Sequence, residues 1–228
     1  MSAACTVFAE QVLQSGPWGF SASAVEDATT LVLYFPGMNC DGDSAHERLL
    51  WRLGNLRKWV TAVTVHAEEE FDHGFEDGTW WRGLGLYQMV DGYSADPQGF
   101  GTALARSYLL VEELLASMPA VTDLVLVGYS LGGPLAAALG DLVSCLTRTH
   151  VLLMCTWRLP PGFAGVGEGQ PPVRALAELN ETDHAVDANI AKSTLESTYE
   201  VVVHEGGRHS EGWNWLWCFV CAVQWPED

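Results

Sequence analysis

Apolar positions in this chain fall into two alternating patterns. Short continuous apolar runs predict buried strands, and stretches with apolar residues at i, i+3 and i+4 predict helices. "CTVFAEQ" and the segment around Trp18 to Ser23 are read as the opening strands. "TLVLYFPG" is a fully apolar run stopped by Pro36-Gly37, the pattern of a parallel strand covered on both faces. "SAHERLLWRLGNLRKWV" has helical spacing, with Ser44 as expected N-cap and Glu47 three residues on as its capping-box partner. "TAVTVHA" is the next strand.

The rhythm breaks over 68–96, where acids, glycines and tryptophans crowd together in "EEEFDHGFEDGTWWRGLGLYQMVDGYSAD". A stretch this long is expected to be a functional or mobile connection, an insertion covering a substrate site. Helical spacing returns in "GFGTALARSYLLVEELLASM", closed by Pro119. The strand "VTDLVLVGY", the helix "GPLAAALGDLVSCL" and the strand "THVLLMCTW" follow. After a Pro/Gly loop come the strand "VRALAEL", a helix over 186–197, the strand "YEVVVHE" and the helix "GWNWLWCFVCAVQW". That last helix is apolar all round, which predicts burial against a sheet or partner. Strands alternating with helices predict one α/β domain over 1–228, a mostly parallel sheet with helices on both faces. In such sheets function gathers at the carboxyl ends of the strands.

Composition narrows the classes. The 228 residues carry a net charge of −18 and are 48% hydrophobic, so a large core is available. The negative charge argues against nucleic acid and anionic membrane as partners. No eighteen-residue apolar stretch predicts a membrane-spanning helix. The start, "MSAACTVFAEQVLQSG", lacks the basic and apolar regions of a secretory signal, so a cytoplasmic location is expected. The six cysteines are scattered, mostly in apolar runs, and are expected to be reduced core residues. Cys218 and Cys221 have CxxC spacing without a second ligand pair, so no metal is expected there. "HAEEEFDH" at 66–73 fits no metal-ligand template and is expected to be a solvated acidic loop.

The chemistry centres on Gly128-Tyr129-Ser130-Leu131-Gly132, a G-x-S-x-G sequence between an apolar strand and a helix. In that context the serine sits on a strained turn that exposes its hydroxyl beside free helix amides. A hydroxyl nucleophile needs a base, and the base needs an orienting carboxylate. Both are available downstream. Asp183 follows a strand in "LNETDHAVD", with Glu181 and Asp187 as rivals; His209 lies in the glycine-rich "GGRHS", with His204 as rival, and His184 beside Asp183 is read as a loop residue.

"LVLYFPGMNCDGD", "VGYSLGGPLAAALG", "TDHAVD" and "GGRHS" occur in the order found in α/β-hydrolases. Within that superfamily the chain resembles the phospholipase/carboxylesterase group, which includes acyl-protein thioesterases. It departs from the group at Pro36-Gly37, where His-Gly is usual, at Leu131, where Gln is common, and at Leu179-Asn180, where His-Gly is usual. The resemblance implies Ser130 as nucleophile, His209 as base and Asp183 as its orienting acid. It implies an oxyanion hole from the backbone amides of Met38 and Leu131. It also sets Trp80 and Trp81 beside the acyl or leaving-group site, where they line a pocket or belong to the core. No cofactor is expected, and the implied partner is a small ester or thioester, or an acylated protein. Long-chain thioesterase or lysophospholipase activity, acyl transfer to another acceptor and a binding protein without chemistry all remain open at this point.

Overall fold

The computed structural model describes residues 19–37, 40–66, 69–71, 75–79, 97–159, 170–209 and 215–225. The expected strand at 5–11 lies outside them. A seven-stranded sheet runs through the described chain in the order β1-β3-β2-β6-β7-β8-β9. Its strands are β1 (Phe20–Ser23), β2 (Thr30–Phe35), β3 (Val60–Val65), β6 (Asp123–Tyr129), β7 (Arg148–Met154), β8 (Arg174–Asn180) and β9 (Glu200–His204). All neighbouring pairs are parallel except β1 against β3. A separate antiparallel pair, β4 (Glu69–Phe71) and β5 (Phe75–Thr79), occupies part of the stretch read from sequence as a connection.

Helices cover the sheet on both faces, and strand alternation decides what each face receives. Along β2, Leu31, Leu33 and Phe35 enter one core, while Val32 and Tyr34 enter the other. The first core is roofed by α2 (Pro97–Ser117), α3 (Gly132–Val143) and α4 (Ala188–Leu195). The second is roofed by α1 (Gly42–Leu53), the 3₁₀ turn Gly54–Lys58 and α5 (Leu216–Gln224). Every residue of β2, β3 and β6 is buried, which explains their mostly apolar character, with Thr30, Thr61, Thr64 and Asp123 as the polar exceptions. Burying each large aliphatic side chain contributes about 1.5–3 kcal/mol against chain entropy.

Three details differ from the sequence reading. The N-cap of α1 is Asp41, whose side chain accepts a hydrogen bond from the Ser44 amide; Ser44 lies in the first turn instead. Aspartate competes well for that position because its carboxylate both accepts the free amide and meets the positive helix end. The cysteines are not uniformly core residues. Cys155 is buried, Cys40 and Cys221 are half-buried, and Cys145 and Cys218 are exposed. Finally, α5 is two-sided: Leu216, Phe219, Val220 and Val223 face the sheet, while Trp217 is 49% exposed.

Candidate active site

Ser130 follows β6 directly and adopts φ of 49°, a left-handed conformation that L-residues rarely take. Such strain costs of order 1–3 kcal/mol and persists only where the surroundings fix it. They do so here. The Ser130 amide donates to the Met154 carbonyl at 3.0 Å, and the Ser130 carbonyl accepts from the Thr156 hydroxyl at 2.6 Å and from the Gly133 amide at 3.0 Å. The flanking glycines leave no space for a side chain. A Cβ on Gly128 would lie 2.6 Å from Gly133 Cα, and one on Gly132 would lie 2.2 Å from the Phe35 carbonyl oxygen. Leu131 occupies the N-cap position of α3, so the first free amides of that helix open beside the serine.

Asp183 lies in the turn after β8, and His209 lies beyond β9. The structure brings both to Ser130. His209 Nε2 is 2.8 Å from Ser130 Oγ, and His209 Nδ1 is 2.7 Å from Asp183 Oδ2. Burial works to raise the Asp183 pKa, but hydrogen bonds from His209 and from the Ala185 and Val186 amides outweigh it and hold the carboxyl below its ordinary value. An ionised carboxylate only accepts, so Nδ1 carries the ring proton and Nε2 accepts from the Ser130 hydroxyl. The Asp183 side chain is 1% exposed and that of His209 18%, so the pair opens to solvent through the imidazole.

Asp187 and His204 are engaged elsewhere. Asp187 caps α4 by accepting from the Asn189 and Ile190 amides. Glu181 is exposed. His204 ends β9, 3.9 Å from the buried Glu178 carboxylate. His184 is an exposed loop residue whose ring centroid lies 6.3 Å from that of His209. Met38, Trp80 and Trp81 lie outside the described residues.

Sequence reasoning missed the groups that hold the histidine loop. Gly207, Arg208 and His209 present three consecutive carbonyls, and each accepts a side-chain hydrogen bond. Thr182 donates to Gly207 at 2.8 Å, Asn180 to Arg208 at 2.8 Å and Tyr129 to His209 at 2.9 Å. Gly207 itself has φ of 92°, which bends the loop so that its carbonyls reach these donors. Asn180, one of the positions that departs from the resembled group, therefore has a defined task. Burial pushes the Tyr129 phenol well above its ordinary pKa, so it stays a hydrogen-bond donor. Tyr129 and Asn180 were visible only as the variable motif residue and a strand-end polar residue.

Among the described residues, one group of possible metal ligands has its donor atoms close together, namely Cys155, Asp183 and His209.

Comparison with known proteins places the fold. No family model matches the chain, and no curated protein matches it by sequence. Solved structures do match. A carboxylesterase from Mesorhizobium loti superposes with a TM-score of 0.69 at 13% identity, covering 92% of this chain and 97% of its own. A carboxylesterase from Bacillus cereus gives a TM-score of 0.64 at 13% identity, covering 88% and 90%. Acyl-protein thioesterase 2 from Zea mays gives a TM-score of 0.64 at 13% identity, covering 90% and 99%. Identities this low carry the fold and not the activity. The chain has the α/β-hydrolase fold, and its structural neighbours include esterases and a thioesterase.

Proposed function

We propose that this protein is a serine hydrolase cleaving carboxylic esters or thioesters through a Ser130 acyl-enzyme. The observation that supports this reading is the unbroken hydrogen-bond chain from Asp183 through His209 to Ser130. As Oγ attacks the acyl carbonyl, Nε2 takes its proton, and Asp183 stabilises the imidazolium through Nδ1–H. The Leu131 and Met38 amides stabilise the oxyanion, each worth about 3 kcal/mol in the transition state. The alcohol or thiol leaves with the proton from Nε2, and water repeats the sequence to release the acid. The chain acts as one domain, with 68–96 covering the substrate and Trp80 and Trp81 lining the acyl site. The net charge of −18 disfavours work on anionic membranes and favours small soluble esters.

The test is fluorophosphonate labelling together with hydrolysis of p-nitrophenyl esters from acetyl to palmitoyl. Ser130→Ala is expected to abolish both, and the optimum is expected among the short acyl chains. An optimum at palmitoyl would select the long-chain thioesterase or lysophospholipase reading. A folded wild-type protein that neither labels nor turns over ester would overturn the proposal.

A further inference from the structure

Cys155 stands directly after β7, fully buried and held at φ of 48°. Its amide donates to the Glu178 carbonyl at 2.8 Å, and the Asn180 side-chain amide donates to its sulfur at 3.4 Å. Its thiol therefore has a fixed direction. Sγ, one carboxylate oxygen of Asp183 and one ring nitrogen of His209 all lie within 4.8 Å of one another. The proposed ester chemistry assigns this thiol no step.

A thiolate, an imidazole nitrogen and a carboxylate form the donor set of a borderline-soft divalent ion with tetrahedral preference. Ordinary zinc bond lengths place such donors about 3.3–3.8 Å apart, so the three need only small movements to close on one ion. The two anionic donors would balance the ion's charge, with a water completing the tetrahedron.

We infer that Cys155, Asp183 and His209 form an inhibitory site for Zn²⁺, the inhibition resting on His209 acting as the base of the proposed hydrolase. The ion arrives at the partly exposed imidazole and takes Nδ1, the nitrogen that faces Asp183. The ring proton moves from Nδ1 to Nε2. Nε2 then donates instead of accepting, and the Ser130 hydroxyl loses its base. The thiol proton leaves to solvent as sulfur binds the ion, so one proton is released for each ion bound.

The experiment titrates ester turnover with buffered Zn²⁺, each variant normalised to its own metal-free rate. Cys155→Ser is expected to raise the zinc concentration for half-inhibition at least tenfold. A Cys218→Ser, Cys221→Ser double variant is expected to leave it unchanged. Equal sensitivity of Cys155→Ser and wild type overturns the site. Co²⁺ supplies a readout independent of turnover, a sulfur-to-cobalt charge-transfer band in the near ultraviolet. The band is expected in wild type and Ser130→Ala, and is expected to vanish in Cys155→Ser. His209→Gln, which keeps the thiol and removes the nitrogen, weakens it as a second variant should Cys155→Ser fold poorly. A band that survives in both Cys155→Ser and His209→Gln also overturns the site. A cobalt band without any ester turnover would leave the metal site standing and remove the hydrolase reading alone.

Discussion

At the elbow, the Ser130 turn between β6 and α3, a single methyl group is enough to test the geometry. The Cβ of Gly132→Ala would meet the Phe35 and Pro36 carbonyl oxygens at 2.2 and 2.5 Å, and backbone cannot swing aside as a side chain can. The expected outcome is a loss of about 1–3 kcal/mol of stability, read by urea denaturation, and a fall in fluorophosphonate labelling. Tyr129→Phe keeps the ring and removes the hydrogen bond to the His209 carbonyl. About 1 kcal/mol of positioning is lost, so kcat is expected to drop roughly fivefold with KM unchanged. A rise in KM with constant kcat would contradict that role. Asp183→Asn keeps the shape and loses the charge that fixes the ring tautomer, and kcat is expected to fall roughly 10⁴-fold. The sequence marked Ser130, Asp183 and His209 because each sits in a local pattern at a strand end. It did not mark Tyr129, Asn180 or Thr182 as loop anchors. Tyr129 and His209 are 80 positions apart, and no local spacing reports a contact of that span.

Among the elements, the central strands were the most legible, because burial on both faces makes most of their positions apolar. The helices were legible in extent and less so in detail. The cap of α1 was misplaced because Asp41 and Ser44 both offer capping side chains, and only the backbone decides which comes first. The last helix was read as wholly buried because cysteine and tryptophan count as apolar wherever they stand. In the structure Phe219 is 1% exposed, whereas Trp217 points outward. Phe219→Ala is therefore expected to cost about 3–5 kcal/mol by chemical denaturation, and Trp217→Gln no more than about 0.5 kcal/mol. Similar costs for the two would mean that the outer face of α5 is covered after all. The hairpin of β4 and β5 was not legible, since its acidic, glycine-rich strands lack the alternation that marks a half-buried sheet.

Across the whole molecule, two histidines couple stability to pH. His46 sits between Ser23 and Thr64, and His150 against Asp123. Burial lowers both pKa values, helped at His46 by the neighbouring His66 and opposed at His150 by Asp123. Folded, these rings resist a proton that the unfolded chain accepts near pH 6.5. Their contribution is therefore complete above about pH 6.5 and is lost as the pH falls below it. The melting temperature is expected to decline between about pH 7 and pH 5, and less steeply in a His46→Gln, His150→Gln double variant. An unchanged slope in that variant would assign the acid sensitivity to other groups.

The three anchored carbonyls of the histidine loop have a consequence for how the protein fails. Their donors come from the elbow, from the end of β8 and from the turn that carries Asp183, so the loop cannot melt while those elements stand. Local opening, which silences many enzymes well before they unfold, has no separate foothold at this histidine. Heat inactivation and loss of near-ultraviolet circular dichroism are expected to share one midpoint, and a Thr182→Ala, Asn180→Ala double variant is expected to pull them apart, with activity lost first. Catalysis in this molecule would then be a readout of its cooperative fold.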